Sequence, residues 1–278
     1  WVRRSASGAF KKVAMRDRRA PNVARIYGAA GAVSFRDALI AFYGFSIQIY
    51  GDFSGYSDMA LALGFAMGIR LPLNFNRPYA AASIREFWQR WHMTLSRWLR
   101  DYRYIPLGGS RRGEVRAVGA VIATMLIGGL WHGAAWSFVV WGGFHGLFMA
   151  LGRISAKSHW RLPRLPRLPV PVKIFIVFHL VSFAWIFFRA PSYERALDIL
   201  AGLADFGPVA GLMAAPIVPF MVVLTLALHP FDSVAHVRWL SRKFSRVVIV
   251  PVALGLLLTF AALSAAHPPA FSSFPSSL

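Results

Sequence analysis

Residues 117–151 read AVGAVIATMLIGGLWHGAAWSFVVWGGFHGLFMAL and contain no charged side chain. The stretch holds two apolar runs, Ala117–Leu130 and Ala134–Leu151. Each run approaches the roughly 20 residues that an α-helix needs to cross a bilayer. The short glycine-containing sequence between them, GGLWHG at 128–133, is typical of a turn. We therefore predict a helical pair that enters the bilayer and returns.

The rest of the chain predicts more helices of the same kind. Of its 278 residues, 56% are hydrophobic and only 15% are charged, against roughly 25% in soluble domains. This composition favours an all-α fold, a polytopic transmembrane helical bundle with interfacial or re-entrant amphipathic helices, in a single membrane domain at 1–278. The further apolar segments are Asp37–Tyr50, Tyr56–Ile69, Val172–Phe188, Leu212–Leu228 and Val247–Ala266.

The net charge of +20 has to be weighed against nucleic-acid binding. Most of the Lys and Arg residues lie in four blocks between apolar segments, at 1–36, 70–116, 153–173 and 238–246. That pattern orients membrane proteins, with the basic loops on the cytoplasmic side. The sequence thus argues against a nucleic-acid partner and places both ends of the predicted hairpin in the cytoplasm.

Histidine is the side chain that offers a base near neutral pH. His132 lies in the predicted turn, about 15 residues or roughly 22 Å of helix from Ala117, so it should stop short of the far side of a hydrocarbon layer about 30 Å thick. An ionisable group at that depth is usually functional, although a buried histidine bonded to a neighbouring helix is the alternative. We predict that His132 is catalytic and that Trp131 and Trp136 form apolar walls for the substrate.

The segment Ser83–Tyr102 predicts an amphipathic helix at the membrane interface. It begins with Ser83 and Glu86 in a capping-box spacing and carries tryptophans on one face and arginines over much of the rest. His92 on this helix is a candidate for assisting the donor end of the site or for a second polar group in a channel, and Arg90 and Asp101 are candidate substrate-binding residues. A plain interfacial anchor is the alternative.

A polar stretch, GDFSGYSD at 51–58, separates two predicted spans. Asp52 and Asp58 in it are candidates for binding a sugar hydroxyl, and an ordinary external turn is the alternative. The chain has no cysteine and no histidine pair with metal-ligand spacing, so we expect no metal site and no bound cofactor.

Several long runs resemble the membrane-bound O-acyltransferases, and among them the alginate O-acetylase branch. The runs are GDFSGYSDMALALGFAMGIRLPLNFNRPYAAASIREFWQRWHMTLSRWLRDYRYIPLGGSRRG (51–113), IGGLWHGAAWSFVVWGGFHG (127–146), GAFKKVAMRDRRAPNV (8–23) and FAWIFFRAPSYERAL (183–197). The resemblance implies a multi-pass enzyme of the bacterial inner membrane. By motif, the family's intramembrane catalytic histidine falls on His132 and its second histidine on His92. Family members usually carry several more N-terminal spans, so we expect the chain to be truncated there.

The resemblance also implies the reaction. An acyl group, expected to be acetyl, would pass from a cytoplasmic thioester co-substrate, acetyl-CoA or an acyl carrier, to a hydroxyl of an extracellular polysaccharide such as alginate. The expected partners are the lipid bilayer and periplasmic acetylation proteins. Two other classes of function stay open: a transporter or channel, which would move substrate without covalent transfer, and a non-catalytic scaffold, in which His132 and His92 would tolerate substitution.

Overall fold

The computed structural model describes residues 20–157 and 168–205, together with Gly8, and every regular element in these ranges is helical. The predicted all-α class is therefore confirmed. Three of the described helices are long and apolar enough to cross a membrane. The predicted spans Leu212–Leu228 and Val247–Ala266 lie outside the described residues.

The described helices are accompanied by two shorter turns. A 3₁₀ turn at Pro78–Ala80 precedes α3, and a π-helical turn at Arg100–Tyr104 follows α4. The three helices that could span a membrane are α5, α6 and α7. The bounds are α1 Ala20–Gly28, α2 Phe35–Ala66, α3 Ile84–Arg90, α4 Met93–Leu99, α5 Glu114–His132, α6 Trp136–Lys157, α7 Val170–Arg189 and α8 Tyr193–Ala204.

The helices α5 and α6 form the hairpin that the opening stretch predicts. Glycines let the two backbones touch: a Cβ on Gly129 would lie 2.3 Å from the Phe138 carbonyl oxygen, and one on Gly142 would lie 2.4 Å from that of Met125. At the open end of the hairpin, Arg153 of α6 forms an ion pair with Glu114, the first residue of α5. Close backbone contact at small residues is the usual way in which helices associate within membranes.

The prediction of two separate spans, Asp37–Tyr50 and Tyr56–Ile69, is wrong, because the single helix α2 of 32 residues takes in the first and most of the second. The polar stretch at 51–58 is therefore a helix interior. Gly51, Ser54 and Gly55 have helical spacing and are all buried, so these small residues make a packing face instead of a turn. The helix ends in a Schellman motif around Gly68, whose φ is +77°, with the Ile69 N–H donating to the Gly64 carbonyl at 2.7 Å.

The single amphipathic helix predicted at Ser83–Tyr102 is also wrong in part, because it divides at His92 into α3 and α4. Its start is as predicted: Ser83 Oγ accepts from the Glu86 N–H at 3.1 Å. The break changes the buried face. Leu99 is buried, whereas Trp98, expected on the apolar face with Trp91, is 42% exposed.

A buried arginine ties α8 to the start of the fold. Arg195 donates from Nε to the Ile26 carbonyl at 3.2 Å and from Nη1 to the Gly31 carbonyl at 2.7 Å. Asp198, three residues further along α8, supplies an ion pair. The guanidinium thereby satisfies carbonyls at the end of α1 that would otherwise lack donors.

Candidate active site

His132 is the last residue of α5, at the tip of the hairpin. Its Nδ1 lies 2.6 Å from the carbonyl oxygen of Gly128, one helical turn earlier. Because a carbonyl only accepts, Nδ1 must carry the proton of this hydrogen bond. The lone pair of the neutral ring is then on Nε2, which is the form that a general base requires.

The depth of His132 follows from the length of α5. The helix begins at Glu114, three residues before the apolar run, so 18 steps or about 27 Å separate its first residue from His132. That distance is still shorter than a hydrocarbon layer of about 30 Å. The predicted position within the membrane thickness therefore stays a prediction, with a smaller margin than the sequence alone suggested.

Four aromatic rings surround the imidazole of His132. Their centroids lie 5.0 Å away for Trp131, 5.1 Å for Trp141, 5.2 Å for Phe188 and 6.4 Å for Phe138. Trp131, which precedes His132 in the chain, is 61% exposed, so its role as a substrate wall stays a prediction. The structure leaves Trp136 78% exposed and gives it no described ring contact with His132. Sequence reasoning missed the other three rings, because their approach depends on how α6 and α7 pack; Trp141 is buried, and Phe138 and Phe188 are half-buried.

His92 occupies the break between α3 and α4, with φ of 40° and ψ of 55°. A left-handed backbone at a residue with a Cβ costs about 1–2 kcal/mol and needs support from its surroundings. Asn74 gives that support on the far side of the break. Its carbonyl oxygen accepts from the Met93 N–H at 3.0 Å, and its side-chain Oδ1 accepts from the Thr94 hydroxyl at 2.6 Å.

The ring of His92 is half-buried against α2. Its centroid lies 4.8 Å from that of Phe53, and Thr94 Oγ1 lies 3.4 Å from its Nδ1. Burial and, to a smaller extent, the charge of His132 lower the pKa of His92 to about 4. His92 is therefore a neutral imidazole at physiological pH.

A continuous set of rings joins the two histidines. Trp141, which contacts His132, stacks on Trp185 at 5.7 Å. Trp185 lies 5.1 Å from Trp91, the residue that precedes His92. The structure thus gathers the two predicted catalytic residues around one aromatic core, which the sequence could not show because α3, α6 and α7 are distant in the chain.

The other predicted substrate-binding residues lie elsewhere. Asp52 and Asp58 are half-buried within α2 and both interact with neighbours, so the external-turn alternative is wrong. Arg90 forms an ion pair with Glu86 and donates to the Arg77 carbonyl at 3.3 Å. Asp101 is exposed and paired with its neighbour Arg100, whose hydrogen bond lowers the pKa of the carboxyl. Their substrate-binding role stays a prediction.

A cavity of about 640 Å³ opens at the other end of the hairpin from His132. Its volume lies within the usual range for small-molecule sites, roughly 300–1,000 Å³. On α5 it reaches down to Met125, seven residues or about 10 Å along the helix from His132. Trp88 and Met149 contribute to its apolar walls, and its charged side chains are Arg85, Arg97, Arg100 and Arg153.

Two further histidines lie within the spans. His179 of α7 has both nitrogens engaged: Nε2 lies 3.0 Å from the Tyr43 hydroxyl and Nδ1 lies 2.8 Å from the Phe175 carbonyl. His145 of α6 is fully buried, and its Nδ1 accepts from the Trp88 indole N–H at 3.3 Å. In the described part of the chain, no group of three or more histidine or acidic residues could hold a metal ion.

The three helices that are long and apolar enough to cross a membrane indicate a helical membrane protein, with an imidazole at the tip of one hairpin and an arginine-lined cavity toward its other end. The family profile "MBOAT, membrane-bound O-acyltransferase family" matches residues 30–190, so the chain belongs to this family. The match takes in α2 to α7 and thus both predicted catalytic histidines.

Named relatives give the same grouping. The chain is 41% identical over 207 residues to "Peptidoglycan O-acetyltransferase" of Helicobacter pylori, covering 73% of this chain and 38% of the relative. It is 44% identical over 171 residues to "Probable alginate O-acetylase AlgI" of Pseudomonas aeruginosa, covering 62% and 32%. It is 34% identical over 167 residues to "Teichoic acid D-alanyltransferase" of Bacillus subtilis, covering 56% and 42%. The chain therefore spans between about a third and two fifths of the length of these relatives.

Proposed function

We propose that the protein is an O-acyltransferase of the bacterial inner membrane, a multi-pass protein in which residues 1–278 belong to one membrane domain. It transfers an acyl group, acetyl by preference, from a cytoplasmic thioester to a hydroxyl of a cell-surface polysaccharide. The names of the relatives support the reaction class, because all three describe acyl transfer to cell-surface polymers. The single observation that carries the proposal is the hydrogen bond between His132 Nδ1 and the Gly128 carbonyl, which in the neutral ring leaves the lone pair on Nε2 at the hairpin tip.

The chemistry assigned to His132 is general-base catalysis. Nε2 removes the proton of the acceptor hydroxyl while its oxygen attacks the thioester carbonyl; the C–O bond forms, the C–S bond breaks, and the proton returns to the departing thiolate. Such help typically contributes about 10²–10⁴-fold to the rate. Holding both substrates in one passage supplies much of the remaining reduction of the barrier.

The cavity supports a thioester donor with an anionic carrier group. Acetyl-CoA and the phosphopantetheine arm of an acyl carrier both carry phosphate, which arginine binds well. Arg100 and Arg153 are already paired with carboxylates, whereas Arg85 and Arg97 form no ion pair with any described residue. The apolar walls lead from these arginines toward His132, as a short acyl group would require.

The chemical class of the acceptor is inferred from the names of the relatives. Alginate, peptidoglycan and teichoic acid occur in their names, so a polysaccharide or related cell-wall polymer is the proposed acceptor class. Periplasmic acetylation proteins are proposed as partners from the family resemblance. We assign contact with such an acceptor to Trp131 and Trp136, which are exposed at the hairpin tip.

The test replaces His132 with Ala and with Gln in the full-length protein and measures polymer-bound acyl groups by mass spectrometry. We expect both variants to lose at least about 100-fold of the transfer. His179→Gln is the matched control, since His179 lies within a span but is bonded at both nitrogens, and it should retain transfer. Normal transfer by His132 variants that accumulate normally in the membrane would favour a scaffold. Assays of isolated membranes supplied with acetyl-CoA or with an acyl carrier decide the donor.

A further inference from the structure

The rings around His132 differ in whether they can donate a hydrogen bond. Phe138 and Phe188 have no polar atom, and Trp131 is 61% exposed, so its indole N–H is not enclosed by the protein. Trp141 is only 1% exposed. Among the rings described around His132, it therefore brings the one N–H donor that water cannot reach.

This donor has no partner among the described residues. The Nε1 atom of Trp141 is buried and makes no hydrogen bond within the part of the chain that the structure describes. Leaving a buried donor unpaired costs about 1–3 kcal/mol, and such groups are rare enough that each calls for an explanation. An N–H kept free beside a base is an arrangement that suits an oxyanion hole.

The indole of Trp141 is also held in place. It stacks on Trp185 at an interplanar angle of 20° and meets Trp88 at 5.8 Å and Phe188 at 5.1 Å. A donor whose ring is fixed by packing needs no reorganisation when charge develops next to it. The fixed position of the indole and the absence of an acceptor among the described residues both favour an oxyanion-binding role for Trp141.

We propose that the Trp141 Nε1–H donates a hydrogen bond to the oxyanion that forms during acyl transfer. As the acceptor oxygen attacks the acyl carbon, its proton goes to His132 Nε2 and the carbonyl electron pair moves onto the carbonyl oxygen. Trp141 binds that oxygen until the C–S bond breaks, the carbonyl re-forms and the thiolate takes the proton from His132. This inference rests on the proposed function, and it makes Trp141 a catalytic residue of that reaction.

His145 is the rival donor. It lies one helical turn beyond Trp141, and because its Nδ1 accepts from Trp88, its proton is on Nε2, which has no described partner. The ring of His145 contacts Trp141 at 5.1 Å but has no described ring contact with His132. We therefore assign His145 to holding Trp88 and Trp141, and the test separates the two residues.

The experiment measures kcat and KM for the donor in the full-length protein with Trp141→Phe and with Trp141 replaced by β-(3-benzothienyl)alanine. The second variant keeps the bicyclic shape and has sulfur where the indole has N–H. We expect both to lower kcat by about 10²–10³-fold with KM nearly unchanged, since the lost bond exists only in the transition state. His179→Gln is the control, since His179 has no described ring contact with Trp141 or His132, and it should stay within a few-fold of wild type.

Three outcomes overturn the inference. The first is a benzothienylalanine variant that keeps the wild-type kcat, and the second is a loss that appears only in KM. The third is a His145→Asn protein, which can still accept from Trp88 through Oδ1, that loses as much kcat as the Trp141 variants. If acyl transfer does not depend on His132, both the proposed function and this inference are wrong. If acyl transfer depends on His132 but is unchanged in the Trp141 variants, only this inference is wrong.

Discussion

The α5–α6 hairpin and the segment 74–104 each present one of the two histidines, but different interactions hold them. In the hairpin, regular helices meet at glycines and His132 ends a helix in ordinary geometry. In the segment 74–104, His92 has a left-handed backbone supported by hydrogen bonds from Asn74. Close packing at glycines holds the hairpin together, whereas hydrogen bonds to Asn74 hold the break in the segment 74–104. Substitutions that add atoms should therefore damage the hairpin, and those that remove acceptors should damage the segment.

The largest effect is expected for Gly142→Ala in the hairpin. Its new Cβ would lie 2.4 Å from the Met125 carbonyl oxygen, and a backbone atom cannot yield unless the helices separate. We expect a loss of about 3 kcal/mol in the free energy of unfolding, at the upper end for overpacking. Thermal unfolding of the detergent-solubilised full-length protein measures it.

The neighbouring glycine provides the control. A Cβ on Gly143 would meet Leu126 Cδ2 at 3.7 Å, an ordinary contact. Gly143→Ala should be neutral or stabilising by up to about 1 kcal/mol, because alanine favours helix. Equal unfolding temperatures for the two variants would show that the hairpin is not packed at Gly142.

The second prediction concerns Asn74→Ala in the segment 74–104. The substitution removes the oxygen that accepts from the Thr94 hydroxyl at 2.6 Å and from the Thr94 N–H at 3.3 Å. Leaving these donors unpaired should cost about 1–3 kcal/mol of stability and should also lower transfer by loosening His92. The same unfolding assay, with polymer acylation as the second readout, measures both effects.

Asn76→Ala is the matched control, because Asn76 contributes its backbone N–H, which donates to the Arg90 carbonyl at 3.0 Å and survives the substitution. It should leave stability nearly unchanged. If both asparagine variants were equally stable, the side chain of Asn74 would not be what holds the break at His92.

The same contrast explains what the sequence could predict. The hairpin follows from an uncharged apolar stretch with a glycine-rich turn, since hydropathy and glycine spacing directly reflect helix burial. The break at His92 does not, because Ser83–Tyr102 has continuous helical periodicity and the compensating residue, Asn74, lies before α3. The polar stretch 51–58 misled for a related reason: glycine and serine favour both turns and close helix contacts, and only tertiary packing decides between them.

The candidate site divides in the same way. His132 and His92 could be chosen from motif and depth, but their aromatic surroundings could not. Trp141 and Phe188 reach His132 through the packing of α6 and α7, which no local pattern encodes. The two predicted walls lay next to His132 in sequence, and that proximity favoured the exposed Trp131 and Trp136 over the buried ring of Trp141.

The smallest expected effect is a pH dependence that tests the burial of His92. Burial in the folded state lowers its pKa to about 4, whereas the unfolded chain has the ordinary value of 6.5. As the pH falls below about 6.5, the unfolded state binds a proton before the folded state does, so the free energy of unfolding decreases. The decrease ends near pH 4, where the folded state is protonated too. The pKa difference corresponds to about 1 kcal/mol once the water-accessible part of the ring is allowed for.

Comparison of the wild type with His92→Gln isolates this contribution, because the remaining histidines titrate in both proteins. The unfolding temperature of the wild type should fall more steeply than that of His92→Gln between pH 6.5 and 4, and the two curves should run parallel above pH 6.5. Curves that stay parallel throughout would mean that water reaches His92 as freely in the folded as in the unfolded chain. In that case the left-handed break would expose His92 instead of burying it beside Phe53, and only the hairpin would present its histidine to the protein interior.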